Sequence, residues 1–249
     1  MGNRHMKDGY TVEALRELKI NAPDEEVRRK VFAHWDLVAK PLDGMGRFEK
    51  LLAQIGAIHG SAEIAIAEKA VVIFCADNGI VAEGISQSGQ EVTLAVTKNM
   101  AAKSSSVGRM AACIGADTIP VDVGINHGEA IAGVLDRKIR CGTRNFRVEP
   151  AMTEEEAVRS IFTGIEMAAY CKGRGYRLLA TGEMGIGNTT TSSAVAAALL
   201  GVPALQVTGR GAGLTDEKLR RKCEVIEEAM GRYELRDADP VRVLQTVGG

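Results

Sequence analysis

The 249 residues carry 31 Lys and Arg against 32 Asp and Glu, a formal net charge of −1. That balance gives no support for nucleic-acid binding or for attraction to an anionic membrane. Hydrophobic residues are 45% of the chain but aromatics only 4%, so the core must be aliphatic and alanine-rich, as suits helices packed on a parallel sheet.

No apolar run approaches the ~20 residues of a membrane span, and no signal peptide opens the chain. Cys75, Cys113, Cys141, Cys171 and Cys223 follow no metal-ligand or disulfide spacing. They read as reduced, buried small hydrophobes of a reducing compartment, and a cytoplasmic protein is expected. The opening Met1-Gly2-Asn3-Arg4-His5-Met6, where a second Met follows a His, is given no weight.

Residues 11–39 are charged and amphipathic, with Val12, Leu15 and Leu18, then Val27, Val31, Trp35 and Val38, at helical spacing. Pro23 is expected to start the second helix and Pro41 to end it. A third helix, about Arg47 to Ile58, follows the Gly44-Met45-Gly46 turn. Residues 1–60 therefore read as helices with no strand between them, and residues 61–249 as a larger α/β domain.

The larger part begins with the continuous apolar run Ala70 to Ala76, a strand buried on both faces, ending at Asp77-Asn78-Gly79. Helices are expected over Glu91 to Ala102 and Ser105 to Gly115, then a strand over Thr118 to Val123 and a weaker one over Lys138 to Cys141. Thr153 and Glu156 form a capping box opening a helix to Cys171. Tyr176 to Ala180 reads as a strand, and Ala204 to Thr208 as another that leads into Gly209-Arg210-Gly211-Ala212-Gly213. Thr215 caps a helix to Gly231, with Leu214 and Leu219 as its hydrophobic staple. Asp239 to Val247 looks like a short helix, and the pattern there still promises a further element, so the natural chain is expected to continue. Met100, Met110, Met152, Met167 and Met230 read as core fillers. Strands alternating with helices imply a largely parallel sheet, whose ligands bind beyond the carboxyl ends of strands. Asp77, Asp122, Glu183 and the Gly209–Gly213 loop are all expected at such ends, around one cleft.

The chain is organised around Thr181-Gly182-Glu183-Met184-Gly185-Ile186-Gly187-Asn188-Thr189-Thr190-Thr191, which reads as strand end, glycine-rich loop and helix start. Glycines let the backbone approach a ligand, and Asn188, Thr189 and Thr190 are N-cap candidates at a terminus that attracts an anion. Gly182 to Thr189 nearly fits the P-loop pattern, with Asn188 where Lys should stand. That argues against an NTPase and for a monophosphate held by backbone N–H groups, with Lys222 or Arg210 as counter-charge. Glu183 beside it needs another task. Asp77 and Asp122 fit a cap or turn as well as a functional role. The polar run Glu83 to Gln90 serves equally as a binding loop over the cleft or as an ordinary connection.

Ala76-Asp77-Asn78-Gly79, Gln90-Glu91-Val92-Thr93, Val121-Asp122-Val123-Gly124, Gly142-Thr143-Arg144-Asn145, Gly182 to Thr190, and Gly209-Arg210-Gly211 with Lys222 together resemble the nicotinate-nucleotide–dimethylbenzimidazole phosphoribosyltransferase family, in family order from about residue 30 to the last. Gly-Glu-Met-Gly-Ile-Gly-Asn-Thr-Thr is highly specific to it. The resemblance implies a doubly wound, mostly parallel, Rossmann-like α/β domain, a small helical domain formed by the chain ends, with residues 1–60 as its N-terminal helices, and a homodimer. It also implies transfer of phosphoribose from nicotinate mononucleotide to 5,6-dimethylbenzimidazole in assembly of the cobalamin lower ligand, with no cofactor and no metal. By the same resemblance Gly185, Ile186, Gly187, Asn188, Thr189, Gly211 and Lys222 hold the 5′-phosphate and nucleotide, Ser86, Gln90 and Met184 line the benzimidazole pocket, and Glu183 is the acid near ribose and base.

Two residues depart from the family pattern: Asn78 stands where it usually has His, and Gly89 where it usually has Pro. Family members also continue past the equivalent of Val247-Gly248-Gly249, through a Gly-Glu-Gly-Thr-Gly segment that carries the principal general-base glutamate. No such motif lies within these 249 residues. If they are the whole protein, Glu183 alone must serve as base. The alternative is a truncated or non-catalytic module that keeps the mononucleotide site.

Overall fold

The structure, a computed structural model, describes residues 9–249, and the opening hexapeptide set aside above lies outside them. In chain order the elements are α1 (Val12–Arg16), α2 (Glu25–Asp36), α3 (Arg47–His59), β1 (Lys69–Ala76), a 3₁₀ turn (Gly79–Glu83), α4 (Glu91–Ala101), α5 (Ser106–Cys113), β2 (Ala116–Gly124), β3 (Leu135–Asp136), α6 (Glu154–Gly173), β4 (Leu178–Met184), α7 (Asn188–Leu200), α8 (Ala204–Val207), α9 (Asp216–Arg232) and α10 (Pro240–Val247). The described residues divide into two compact units, Arg16–Ala67 on the one hand and 9–15 with Glu68–Gly249 on the other.

The smaller unit is a helix pair. Asp24 caps α2 by accepting from the N–H groups of Glu26 and Val27, so Pro23 stands just outside the helix rather than at its first position. α2 ends at Asp36, well before Pro41. Val27, Val31 and Ala53 form its core, flanked by Trp35, which meets Phe48 edge-on with ring centres 6.1 Å apart. Glu49, also buried, pairs with Lys40 at 2.9 Å, which satisfies a carboxylate that burial would otherwise disfavour.

In the larger unit the sheet order is β3-β2-β1-β4, with each neighbouring pair parallel. β1 is central and its alternation divides the core. Ile73 and Cys75 face Met100 of α4, with Ile125 and Ile131, on one side. Val72 faces Met167 and Cys171 of α6 on the other. Helices on both faces make this the doubly wound α/β arrangement expected from the sequence. α6 opens with the expected capping box, and Thr215 caps α9 as expected. α7 presents Ala194, Ala197 and Ala198 to α9 and α10, where the absence of longer side chains lets the helices approach closely.

Several expectations fail for identifiable reasons. Ala204–Val207 is one turn of helix rather than a strand: Pro203 sets φ −57° ahead of it, and Glu227 of α9 accepts from the Ala204 N–H. The Gly209–Gly213 loop therefore leaves a helix, not a strand end. Lys138–Cys141 is irregular and the strand falls earlier, at β3, although Ile139 N–H still reaches the Val123 carbonyl. β4 starts at Leu178 and runs through Met184, so Gly182 and Glu183 lie in the strand. At one edge of the sheet among the described residues, β4 leaves Leu178 and Leu179 39% and 37% exposed. Met110 is exposed on α5 rather than buried.

Candidate functional site

The site lies where the order of the sheet reverses, between the carboxyl ends of β1 and β4, the crevice in which open α/β sheets take ligands. β1 delivers Asp77-Asn78-Gly79, and β4 delivers Gly185-Ile186-Gly187. Both loop glycines are required. A Cβ on Gly185 would stand 2.3 Å from the Ala76 carbonyl oxygen, and Gly187 has φ +92°. Gly187 is itself the N-cap of α7 and offers no side chain, which displaces the expected caps: Asn188, Thr189 and Thr190 occupy the first helical turn instead. The Asn188 N–H returns to Gly185 O and the Thr190 N–H to Gly187 O, whereas the N–H groups of Gly187 and Thr189 have no hydrogen-bond partner among the described residues. Two free donors at the start of a 13-residue helix favour an anion.

A cavity of ≈130 Å³ opens over this loop. Of the residues expected in the site, Met184, Gly185, Ile186, Gly187, Asn188 and Thr189 line it from one side, Ser86 from a second and Gly211 from a third. Arg210, Gln87 and Ile85 line it as well. The flanking loops are joined to each other: Lys218 donates to Ser86 O at 3.3 Å, and Gln87 donates to Gly213 O.

Three expected residues stand outside the cavity lining. Lys222, projecting from α9, has no exposed surface; its Nζ donates to Thr189 Oγ1 at 2.8 Å and to Gly209 O at 3.2 Å. It has no carboxylate partner among the described residues, and burial holds its pKa below the ordinary lysine value, with the neighbouring Cys223 opposing slightly. A buried ammonium without a counter-ion is costly, and an anion bound at the loop would relieve it. Gly211 borders the same point, since a Cβ there would lie 2.9 Å from Thr189 Oγ1 and 3.9 Å from Lys222 Nζ. Arg210, the other candidate counter-charge, pairs with Asp216 and donates to Leu214 O at 2.8 Å.

Gln90 adjoins the loop, donating from Nε2 to the Asn78 carbonyl at 3.1 Å. Glu183 pairs with Phe74 in the sheet and Met184 with Cys75, so the two alternate between opposite faces. The Glu183 side chain is exposed along the outermost strand, yet enough protein surrounds its carboxyl to raise its pKa, with a hydrogen bond from Asn188 pulling the other way.

Both strand-end aspartates bond backbone N–H groups, and Asp77 Oδ1 is left buried without a hydrogen-bond partner among the described residues. Asp122 accepts from the N–H groups of Gly124 and Ile125 and pairs with Lys138 at 3.1 Å, away from the cavity over the glycine loop. Asp77 accepts from the Asn126 N–H at 2.8 Å. Sequence reasoning missed Thr93, whose Oγ1 accepts the Ile186 N–H at 3.1 Å. Its signal was a hydroxyl three residues after Gln90, on the buried face of α4 that it shares with Thr97 and Met100.

A family model described as phosphoribosyltransferase matches residues 20–249. The chain is 41% identical over 238 residues to a nicotinate-nucleotide–dimethylbenzimidazole phosphoribosyltransferase of Ruminiclostridium cellulolyticum, covering 96% of this chain and 66% of the relative. A protein of the same name from Geobacter metallireducens is 40% identical over 232 residues, covering 92% and 65%. The crystal structure of the Thermus thermophilus protein of that name superposes with TM-score 0.82 at 36% identity, over 91% of this chain and 67% of that one. The chain thus spans about two thirds of the length of the relatives it matches. By motif, fold and likeness along nearly its whole length, the chain belongs to the nicotinate-nucleotide–dimethylbenzimidazole phosphoribosyltransferase family.

Proposed function

We propose that this protein transfers phosphoribose from nicotinate mononucleotide to 5,6-dimethylbenzimidazole, releasing nicotinate and forming α-ribazole 5′-phosphate, a step in cobalamin assembly. The observation that carries this reading is the buried Lys222, without a carboxylate partner among the described residues, behind a glycine loop whose Gly187 and Thr189 N–H groups have no partner among those residues either. A monophosphate bound there would supply the missing negative charge. The ≈130 Å³ cavity fits a phosphate with its adjoining sugar atoms better than a triphosphate.

In the proposed reaction nicotinate leaves as its pyridinium bond to the anomeric carbon breaks, so the sugar develops oxocarbenium character without prior activation. An azole nitrogen attacks the opposite face, which inverts β to α. The proton on the other azole nitrogen must then be removed. Glu183 is the carboxylate proposed to take it, its raised pKa bringing it nearer the range of an effective base. Ser86, Gln90 and Met184 are proposed to surround the azole. The helices of Arg16–Ala67 are proposed as the N-terminal share of the small domain, and the protein is proposed to act as a homodimer in the cytoplasm. No helix among the described residues is long and apolar enough to cross a membrane.

The test is incubation with nicotinate mononucleotide and dimethylbenzimidazole while free nicotinate is followed. Release that depends on the azole supports the reading. Mononucleotide binding without release would support the non-catalytic module instead, and failure to bind the mononucleotide would remove the reading altogether.

A further inference from the structure

Asn78 and Thr93 come from different elements and converge on one residue's backbone. Thr93 Oγ1 accepts the Ile186 N–H at 3.1 Å, and Asn78 Nδ2 donates to the Ile186 carbonyl at 3.1 Å. Both side chains are almost wholly buried, and neither lines the cavity. Asn78 Oδ1 makes no hydrogen bond among the described residues, so the bond to Ile186 is the one this buried side chain is committed to. A buried amide that leaves its oxygen unsatisfied is costly, and needs a reason to be held there.

The geometry of a trans peptide supplies that reason. The Ile186 carbonyl and the Gly187 N–H belong to one planar unit and point in opposite directions. By drawing the Ile186 carbonyl toward itself, Asn78 turns the Gly187 N–H away from itself, at a residue that lines the cavity. Gly187, at φ +92°, has the backbone freedom to turn otherwise if released. Thr93 holds the preceding N–H, so the Ile186 residue is fixed at both of its backbone polar groups. Gln90 lies one helical turn before Thr93 and donates to the Asn78 backbone carbonyl. The first turn of α4 therefore holds the anion loop and the proposed azole-side residue in one frame.

We propose that Asn78 and Thr93 are positioning residues that aim the Gly187 N–H at the ligand's phosphate, acting through Ile186 without touching the ligand. This rests on the mononucleotide reading above. The test measures binding of ribose 5-phosphate, nicotinate mononucleotide and nicotinate riboside, which lacks the phosphate, to wild type, Asn78→Ala, Thr93→Val and the double variant. Each single variant should weaken both phosphate-bearing ligands about tenfold and leave the riboside unchanged, a loss of the order expected for one misdirected hydrogen bond to a charged group. The double variant should lose less than the product of the two, because both bonds hold one residue. Thr93→Ser, which keeps the hydroxyl, should restore wild-type affinity. If Asn78→Ala does not fold, the isosteric Thr93→Val and its Ser rescue carry the same test.

Equal weakening of riboside and phosphate ligands would reduce the two residues to general structural support, and unchanged phosphate affinity would overturn the proposal outright. In both cases wild-type binding of the mononucleotide leaves the functional reading standing. A wild type that binds none of the ligands overturns that reading and this proposal together.

Discussion

Lys222 Nζ reaches Thr189 Oγ1 at 2.8 Å, so the cation of α9 is fastened to the first turn of α7 by a neutral hydroxyl rather than by a carboxylate. This places a positive charge where the helix terminus already favours an anion, and leaves it uncompensated until one arrives. In the unliganded protein the arrangement is unfavourable, and under the proposed function a bound phosphate would relieve it.

Replacing Lys222 with Met therefore has opposite consequences in the two states. Affinity for ribose 5-phosphate should fall about 10- to 100-fold, the loss of a charge-assisted contact, measured by titration calorimetry. The unliganded variant should melt at the same temperature or higher, because a buried charge has gone. The pH dependence has a definite sign. Burial lowers the Lys222 pKa from 10.5, so the penalty is absent above that value and sets in as pH falls through the folded-state pKa. The stability advantage of Lys222→Met over wild type should accordingly shrink as pH is raised from about 7 towards about 10. An unliganded variant markedly less stable than wild type would contradict this account.

Glu183→Gln separates binding from chemistry. The carboxyl lies on the exposed outermost strand, outside the lining of the phosphate cavity, so mononucleotide affinity should stay within about twofold of wild type. Nicotinate release in the presence of the azole should fall about 10²- to 10⁴-fold if Glu183 receives the proton. Burial raises its pKa above 4.5 against the pull of Asn188, so the stability it contributes is present below that value and lost as pH rises through the raised pKa. Relative to wild type, the Gln variant should thus gain stability across that window. Full turnover by the variant would remove Glu183 from the mechanism.

The parts of this fold written in local chemistry were legible in the sequence. Ala70 to Ala76, the Thr153–Glu156 capping box and Thr215 each declare their element through residues a few positions apart, and β1, α6 and α9 follow. What was not legible depends on partners distant in the chain. Ala204–Val207 has the apolar look of a strand, but Glu227, 23 residues away, supplies the acceptor that starts a helix. The cap of α7 falls on Gly187, and the preceding Ile186 is held from outside the loop by Asn78 and Thr93. The glycine pattern announced a tight loop ahead of a helix, while Asn78 and Thr93, which hold Ile186, carry no local signature.

Gly187→Ala tests whether the loop requires its left-handed residue. At φ +92° a Cβ would meet Val81 Cγ2 at 2.8 Å and Asn78 Cβ at 3.2 Å, in a backbone region that side chains rarely adopt. The variant should lose about 2 kcal/mol of stability in urea denaturation, and ribose 5-phosphate should no longer raise its melting temperature. Retained stability together with retained phosphate binding would show that the loop accommodates other conformations.

Glu83 ties together the elements around the site without entering the cavity. Its carboxylate accepts from Asn145 at 2.7 Å, Arg147 at 2.8 Å and Arg221 at 3.0 Å, joining the 3₁₀ turn after Asn78, the segment before α6, and the residue next to Lys222. The side chain is only 11% exposed, and burial alone would raise its pKa; the hydrogen bonds from Asn145 and Arg147 and the charges of Arg147 and Arg221 outweigh this and hold it below 4.5. A depressed carboxylate contributes stability that is present above its unfolded pKa and lost as pH falls through the folded one. Glu83→Gln should therefore cost about 2 kcal/mol at about pH 7, discounted for the partial exposure of both arginines, and almost nothing at about pH 3. Urea denaturation at the two pH values checks this. A loss of the same size at both would assign the contribution of Glu83 to packing rather than to charge.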